Sequence, residues 1–264
     1  MSGLILGTTK GISPKELMPW AYTAIKTGNK VVLIAVDFND FSEIEKLGVE
    51  VVRKEFNNKL SPHNQRFLFQ YEYLINSDYE YAITTDVRDV IFQHDPVSWL
   101  KNNLKNYKVA CASEGLSYKD EPWGNNNLIE GFPYLYDRYK DNTIMNVGVV
   151  GGKTKELASI NLAIYTMCSH NPAYLSDQSS FNILCGLDAF SSIIYKSESR
   201  AGFALHAGTF LRNCTTGEFR LNDQNCHLLK EPEPILDDAF RTCDGVPYCI
   251  VHQWNRTNIQ LNLL

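Results

Sequence analysis

Short apolar runs alternate with amphipathic stretches at the start of the chain. Residues 4–6 form a short apolar run, and residues 30–37 form a second one, rich in Val and Ile and too short for a helix, which is typical of a buried strand. Between them, the Ser-Pro-Lys-Glu sequence at 13–16 predicts a capped helix start, with Gly28 as the stop. Strand, helix and strand in this order predict a parallel pair with a right-handed crossover.

The same alternation continues towards the C-terminal end. The stretch 113–141 breaks it, because it is rich in Asn, Gly, Pro and aromatic residues and is expected to form a long loop, functional or disordered. The pattern as a whole predicts an α/β fold. The other predicted elements are a helix beginning at Ser61-Pro62, helices over 156–169 and 177–185, and strands over 81–84, 108–112, 144–152 and 250–252.

Composition and charge narrow the class of protein. The chain has 264 residues, of which 44% are hydrophobic and 21% charged, as is ordinary for a globular protein. Length alone allows one large domain or two small ones. The net charge of −5 disfavours a general nucleic-acid binder, so no nucleic-acid partner is expected. A small anionic ligand stays possible, because a few placed cations suffice to bind it.

No stretch of the sequence predicts an integral membrane segment. The longest strongly apolar run, 31–36, is far shorter than the roughly 20 residues that span a bilayer. The N-terminal sequence lacks the charged leader and apolar core of a signal peptide, so a soluble, cytoplasmic protein is expected. The seven cysteines include no CxxC, which favours free thiols. A disulfide or metal site among the four cysteines between 214 and 249 stays open.

Two carboxylates mark the end of the strand predicted at 81–84. Asp86 and Asp89 follow it directly, and ligands of open α/β sheets collect at the carboxyl ends of strands. Mg²⁺ and Mn²⁺ prefer oxygen ligands and usually bind one or two carboxylates together with substrate phosphates. The pair therefore suits a metal–diphosphate site. The alternative is a solvated turn in which Asp86 caps and Arg88 pairs with Asp89.

Other polar residues are candidates, each with a structural alternative. His252 ends a predicted strand, either as a third metal ligand or as a structural histidine. Asp177 and Gln178 open a predicted helix, where they either cap the helix or bind a ligand. Asn146 lies in an apolar strand and needs a partner if buried, at an edge bulge or beside a ligand. Arg66, on the helix before the Asp pair, either binds phosphate as a planar donor or faces solvent.

Several enzyme classes lack their signatures in this sequence. The Gly-Thr-Thr-Lys-Gly stretch at 7–11 fits neither GxGxxG nor GxxxxGK[ST], which argues against dinucleotide dehydrogenases and P-loop enzymes. The order of the candidate motifs instead resembles that of GT-A-fold glycosyltransferases, in particular glycosyltransferase family 8 and related bacterial and viral sugar transferases. The motifs that carry the resemblance, over about residues 4–256, are Asp86 and Asp89, Asp95-Pro96, the small residues at 109–112, Asn146-Val147-Gly148, Asp177-Gln178 with Asn182, and His252.

The resemblance implies a fold and a different role for each half of the chain. It implies a single GT-A domain over 1–264, with a mostly parallel central sheet flanked by helices. Residues 1–100 would form the nucleotide-binding half, which ends in the Asp-x-x-Asp motif. Residues 101–264 would form the acceptor-binding half.

The resemblance also implies roles for the candidate residues. Asp86, Asp89 and His252 would hold Mn²⁺ or Mg²⁺ against the diphosphate of a nucleotide-sugar donor. A metal ion suits this transfer, because a cation offsets the negative charge that builds on the leaving diphosphate. The residues that would surround the rest of the donor are Thr8 and Thr9 at the nucleoside, Arg66 beside the donor, and Asn146, Asp177 and Gln178 at the donor sugar.

The sequence departs from the family 8 pattern in two places. The Asp-Val-Arg-Asp sequence at 86–89 is one residue longer than DxD. After His252, family 8 continues with Gly and Lys-Pro-Trp, whereas this chain has Gln-Trp-Asn-Arg at 253–256. Arg256 is therefore expected to replace the missing Lys on the diphosphate. These differences indicate a separate family with the same fold.

The predicted function is metal-dependent transfer of a sugar from a nucleotide diphosphate, with a UDP-sugar as the expected donor, to a hydroxyl of a glycan or other acceptor. Similarity to family 8 implies retention, with Gln178 near the reacting face, whereas an inverting enzyme would need a base such as Asp177. Trp123, Tyr134 and Tyr136 in the long loop are expected to bind the acceptor, form a lid or pack in the core. The alternatives are a sugar nucleotidyltransferase and a non-catalytic carbohydrate- or nucleotide-binding module.

Overall fold

The polypeptide folds around a central sheet of seven strands. The computed structural model describes residues 3–37, 39–171, 173–212 and 214–257. The strands are β1 (Leu4–Thr9), β2 (Lys30–Ala35), β3 (Glu50–Arg53), β4 (Tyr81–Thr85), β5 (Val90–Phe92), β6 (Val109–Ser117), β7 (Thr143–Lys153), β8 (Ile194–Ser197), β9 (Ala204–His206), β10 (Ile235–Leu236), β11 (Phe240–Arg241) and β12 (Ile250–His252).

Ten α-helices accompany these strands in the described part of the chain. They are α1 (Pro14–Lys26), α2 (Ser42–Lys46), α3 (Pro62–Ile75), α4 (Pro96–Asn103), α5 (Pro122–Gly131), α6 (Tyr136–Tyr139), α7 (Thr154–Ser169), α8 (Asp177–Cys185), α9 (Asp188–Ser191) and α10 (Ala207–Phe210). Short 3-10 helices lie at Tyr118–Asp120, Pro133–Leu135, Ser199–Ala201, Cys226–Leu228 and Trp254–Arg256. None of the described helices is both long enough and apolar enough to cross a membrane.

The central sheet is mostly parallel, as the sequence predicts. Its strand order is β3-β2-β1-β4-β7-β6-β8. The pairs β1–β2, β1–β4, β2–β3 and β6–β8 are parallel, whereas β7 runs antiparallel to both of its neighbours. Alternate residues enter two different cores, because successive side chains of a strand point to opposite faces. Ile5 packs with residues of α1 and α4, while Leu4 and Leu6 pack with residues of α3, α7 and α8.

Helix α1 begins as the sequence predicts and braces the end of β4. Ser13 and Glu16 form a reciprocal capping box, which satisfies backbone donors at the helix start. Trp20 on this helix is fully buried, and its Nε1–H donates to Thr85 Oγ1 at 2.9 Å. Thr85 is the last residue of β4 and precedes Asp86. The helix therefore fixes the point at which the pair of aspartates begins.

The strand predicted at 250–252 belongs to a second, three-stranded sheet with the order β5-β12-β9. In this sheet β12 is antiparallel to β5 and parallel to β9. Because β5 starts at Val90, directly after Asp89, this pairing brings the aspartates to the strand that ends in His252. His252 stands opposite Val90 on one side and opposite His206 on the other.

The expectation of a long loop over 113–141 is wrong. Strand β6 continues to Ser117, and α5 and α6 occupy most of the remaining stretch. The prediction took Pro122 as a sign of a loop, but this proline stands at the first position of α5, where proline is favoured. The side chain of Glu121 caps this helix by accepting a hydrogen bond from the backbone N–H of Gly124. Local capping thus outweighs the low helix propensity of the Asn-rich sequence.

Candidate functional site

A cleft of about 680 Å³ lies over the ends of β1 and β4 and the middle of β7. Ligand sites of open α/β sheets lie at such strand ends. The lining includes every residue that the sequence predicts for a metal, a donor or catalysis: Thr8, Thr9, Arg66, Asp86, Asp89, Asn146, Asp177, Gln178, His252 and Arg256. The chain folds so that side chains from separate elements face one space.

Asp86, Asp89 and His252 converge in this cleft. His252 Nε2 lies 3.5 Å from Asp86 Oδ2 and 3.4 Å from Asp89 Oδ1. One ligand atom from each residue lies within 4.8 Å of the others, and no other cluster of at least three such residues occurs in the described part of the chain. Two carboxylate oxygens and one imidazole nitrogen fit a divalent cation such as Mn²⁺ or Mg²⁺.

The backbone holds the Asp-Val-Arg-Asp turn on both sides. The N–H of Asp86 donates to Gly148 O at 2.7 Å, and Asp89 O accepts from the N–H of Gln253 at 2.7 Å. The turn is thereby tied to β7 and to the end of β12. Arg88 forms an ion pair with Glu16 at 3.0 Å on the surface rather than with Asp89. Arg88 lines the cleft but pairs with Glu16, so both aspartates stay available to a ligand.

The electrostatic surroundings favour an ionised Asp89. Burial raises the pKa of Asp89, but the His252 ring and the Arg256 guanidinium outweigh that effect, so its pKa lies below the ordinary value. An ionised carboxylate is the form that ligates a cation. Behind His252, burial lowers the pKa of His206 well below its ordinary value. This second histidine was not predicted from the sequence.

Arg66 links the aspartates of the turn to the start of α8. One guanidinium nitrogen, Nη1, pairs closely with Asp86 Oδ1, and Nη2 lies 3.0 Å from Asp177 Oδ2. The Arg66 side chain is only 12% exposed, so the solvated alternative from the sequence does not hold. Its Nε atom is buried without a hydrogen-bond partner in the described structure. Asp177 engages this arginine, whereas Ser176 takes the N-cap position without a side-chain cap.

Asn146, Gln178 and Glu114 form a buried hydrogen-bond network at the floor of the cleft. Asn146 Nδ2 donates to Glu114 Oε1 at 2.6 Å, and Gln178 Nε2 donates to the same oxygen at 3.3 Å. Gln178 Oε1 accepts from the N–H of Val147 at 2.9 Å. Asn146 thus has the partner that a buried amide requires. Glu114 was missed, because a lone Glu in an expected loop gives no local signal.

Burial raises the pKa of Glu114 to about 7, with Glu121 adding a like-charge contribution. The protonated form is therefore favoured by the fold, and the unfolding free energy should fall as the pH rises from 4.5 to about 7. Across this pH range, we expect the unfolding free energy of the wild-type protein to fall by about 3 kcal/mol relative to that of Glu114→Gln. Urea unfolding of both proteins at several pH values measures this difference. Parallel pH profiles for the two proteins would contradict a raised pKa.

The far end of the cleft has unpartnered polar atoms beside an aromatic ring. Thr8 Oγ1 and Thr9 Oγ1 are buried and have no hydrogen-bond partner among the residues that the structure describes. Next to them, Lys10 Nζ lies 3.1 Å from the centroid of the Phe56 ring, which also lines the cleft. Buried hydroxyls without partners are costly unless a ligand or water binds them. This end offers hydrogen bonds together with an apolar and cationic surface.

Arg256 presents a guanidinium to the cleft from the 3-10 helix that follows β12. Its side chain makes no hydrogen bond or ion pair with any residue in the described ranges. Glycines leave room for it: a Cβ on Gly208 would lie 3.0 Å from Arg256 Nη1, and a Cβ on Gly217 would lie 3.3 Å away. The preceding Gln253 has a left-handed backbone with φ of 61°, which is uncommon for a non-glycine residue.

The three aromatic residues expected at the acceptor side lie in different surroundings. Trp123 lines the cleft and is 42% exposed. Tyr134 is fully exposed outside the lining, and the hydroxyl of Tyr136 donates to Asn125 Oδ1 at 2.8 Å. Tyr136 packs against the cluster under α5 and α6, which is the core-packing alternative. Only Trp123 among these three residues can touch a ligand in the cleft.

Gly148 leaves space for the side chains of Asp86 and His252. A Cβ at this position would lie 2.6 Å from His252 Cε1 and 2.7 Å from Asp86 Oδ2. We expect Gly148→Ala to displace these ligands and to weaken Mn²⁺ binding about 10–100-fold. Titration calorimetry measures the effect. Gly151→Ala, on the same strand but against Ile83 and Leu100, is the matched control and should leave binding unchanged; equal Mn²⁺ affinities for both variants would contradict the prediction.

Comparisons with known proteins support the fold. No protein-family model and no curated protein sequence matches this chain. Among solved structures, the galactosyltransferase LgtC, in complex with donor and acceptor sugar analogues, shares 11% identity over 95% of this chain and 87% of LgtC, with a TM-score of 0.51. The apo-form glycosyltransferase GlyE of Streptococcus pneumoniae TIGR4 shares 12% identity over 100% of this chain and 58% of GlyE, with a TM-score of 0.55.

At such identities the likeness shows the fold alone. This chain has the fold of GT-A glycosyltransferases, with a mostly parallel sheet flanked by helices, and the fold expected from the motif order is confirmed. The chain spans little more than half of GlyE. The activity, ligands and residue roles therefore have to be argued from the chemistry of the site.

Proposed function

We propose that this protein is a metal-dependent glycosyltransferase that moves a sugar from a nucleotide-diphosphate donor to a hydroxyl of a glycan acceptor. The observation that carries the proposal is the convergence of Asp86, Asp89 and His252 in a cleft that also contains the guanidinium of Arg256, which has no partner among the described residues. Carboxylates for a cation and a free arginine for phosphate are what a diphosphate leaving group requires. The GT-A fold of the chain agrees with this chemistry.

In this proposal, Asp86, Asp89 and His252 hold Mn²⁺ or Mg²⁺, which supplies positive charge against the leaving diphosphate. Arg256 would bind the diphosphate as a planar donor. Arg66 holds Asp86 and Asp177 in fixed orientations and adds positive charge beside the donor. Charge is thus arranged before the reaction, which is the most effective form of electrostatic catalysis.

The two ends of the cleft suit the two parts of the donor. Thr8 and Thr9 provide buried hydroxyls for the nucleoside, and the Phe56 ring provides a surface for a flat base. The resemblance to family 8 makes a UDP-sugar the donor of choice. Asn146 and Gln178, held by Glu114, form the floor on which the donor sugar lies.

The position of Asp177 favours a retaining reaction over an inverting one. Its Oδ2 pairs with Arg66 Nη2 at 3.0 Å, which suits a carboxylate that holds the arginine better than the base that an inverting reaction needs. Gln178 faces the same cleft and is fixed by hydrogen bonds to Val147 and Met145. We therefore place Gln178 at the reacting face and give Asp177 a structural part in holding Arg66.

The acceptor enters on the side of Trp123 in this proposal. Trp123 combines exposure with a place in the cleft lining, and aromatic rings suit the apolar faces of sugars. Glu121 and Glu218 line the same side and can accept hydrogen bonds from sugar hydroxyls. A glycan with free hydroxyls fits these groups.

A thermal-shift panel tests the proposal. The panel contains UDP, GDP, CMP and dTDP and their sugars, each with and without Mn²⁺. A ligand at 100 times its dissociation constant should stabilise the protein by about 2.7 kcal/mol. We expect an Mn²⁺-dependent shift with one nucleotide family. The absence of any shift from a folded protein would contradict the proposal, and release of pyrophosphate from a sugar phosphate and a nucleotide would indicate a nucleotidyltransferase instead.

A further inference from the structure

A second histidine lies directly behind His252 in the three-stranded sheet. His206 ends β9, and the parallel register places it opposite His252 at the end of β12. His206 Nδ1 lies 3.0 Å from His252 Nδ1, and the two rings meet edge to face at 86°. His206 is 0% exposed and His252 is 3% exposed, so water does not compete for this contact.

The contact restricts where the hydrogen atoms sit. A neutral imidazole carries hydrogen on one nitrogen only, and the other nitrogen accepts. His252 Nε2 faces Asp86 and Asp89 and can bind a cation only through its lone pair. Its hydrogen must then be on Nδ1, which leaves His206 Nδ1 as the acceptor. The hydrogen of His206 then falls on Nε2, a buried atom without a hydrogen-bond partner among the described residues.

We propose that His206 is a positioning residue: its Nδ1 accepts the Nδ1–H of His252 and thereby fixes the tautomer and ring orientation that present His252 Nε2 to the cation. This inference rests on the proposed function, because it assumes that His252 ligates the metal. Partners of this kind orient metal-ligating histidines in general, and most are carboxylates or backbone carbonyls. A neutral imidazole in this place adds no third negative charge behind Asp86 and Asp89.

The choice of partner has an electrostatic reason. A carboxylate at the position of His206 would be a fully buried charge close to Asp86 and Asp89, which is costly. The imidazole supplies the same acceptor without that cost. The carboxylates of Asp86 and Asp89 then match the charge of one divalent cation, while the histidine pair stays neutral.

Binding of Mn²⁺ to three variants tests this inference. His206→Leu fills the space but removes the acceptor, and we expect it to weaken Mn²⁺ binding about 10–100-fold, as measured from the free Mn²⁺ signal in electron paramagnetic resonance. His206→Asn keeps an acceptor oxygen near the position of Nδ1 and should bind nearly as tightly as the wild-type protein. Asp89→Ala, which removes a ligand, reports on the metal site itself.

The outcomes separate this inference from the proposed function. Binding that is lost in Asp89→Ala but unchanged in His206→Leu would overturn the inference and leave the proposed function standing. No Mn²⁺ binding by the wild-type protein would overturn both. If His206→Leu does not fold, ¹⁵N NMR of the histidines in the wild-type protein with Mg²⁺ decides: we expect Nδ1–H for His252 and Nε2–H for His206, and the reverse assignment would overturn the inference.

Discussion

Replacement of Asp89 by Ala is expected to abolish sugar transfer while leaving the fold intact. Asp89 Oδ1 lies 3.4 Å from His252 Nε2, and the backbone of Asp89, which the substitution keeps, holds the turn through Gln253. A bound cation stabilises the charge of a leaving group by several kcal/mol, so its loss should reduce turnover about 10³-fold. Assays of donor turnover over a range of Mn²⁺ concentrations, with circular dichroism to check folding, measure the effect.

Asp78 provides a matched control for this substitution. It is an exposed carboxylate outside the cleft, so Asp78→Ala removes the same charge without touching the site. We expect Asp78→Ala to keep the wild-type rate. Full activity of Asp89→Ala at saturating donor would contradict the assignment of this aspartate to the metal site. Equal losses in both variants would show that net charge, rather than ligation, sets the rate.

Replacement of Arg66 by Ala is expected to destabilise the protein strongly. Arg66 is the shared partner of Asp86 and Asp177, and the Asp177 side chain is only 8% exposed. Removal of one partner from a buried ion pair costs about 3–5 kcal/mol, because a charge is left without compensation. Since Asp86 is 28% exposed and partly solvated, we expect Arg66→Ala to lower the unfolding free energy of the metal-free protein by about 3 kcal/mol.

Denaturant unfolding with and without Mn²⁺ tests this prediction. A cation at Asp86 compensates part of the freed charge, so Mn²⁺ should stabilise Arg66→Ala more than it stabilises the wild-type protein. Arg66→Lys keeps the positive charge but loses the planar fork that reaches both carboxylates, and its stability should be intermediate. A loss below about 0.5 kcal/mol for Arg66→Ala would mean that the ion pairs of Arg66 are no more than surface contacts.

Local signals in the sequence predicted much of the fold. The capping box at Ser13, the apolar run at 30–37 and the strand at 81–84 each depend on residues that are near neighbours in the chain. These signals were sufficient for the parallel β1–β2 pair and for the placement of Asp86 at a strand end. The helix predicted at 177–185 matches α8 in both bounds.

The convergence of the site was predictable only through the order of the motifs. Asp86 and His252 are far apart in sequence, and the pairing of β12 with β5 that brings them together has no local signature. Glu114 and His206 were missed for the same reason. Each is a single polar residue whose partner, Asn146 or His252, comes from a different strand. The prediction for 113–141 was wrong because it weighed the turn-forming composition and not the cap at Glu121 with which α5 begins.

The most direct test of the account is donor turnover without an acceptor. Nucleotide sugars of the four nucleotide families are incubated with the protein, with and without Mn²⁺, and the released nucleoside diphosphate is measured. We expect slow release from one family of donors, the UDP-sugars, that requires Mn²⁺ and is lost in Asp89→Ala. If a folded protein releases no nucleoside diphosphate from any donor, and no acceptor panel restores the reaction, the cleft is not the active site of a glycosyltransferase.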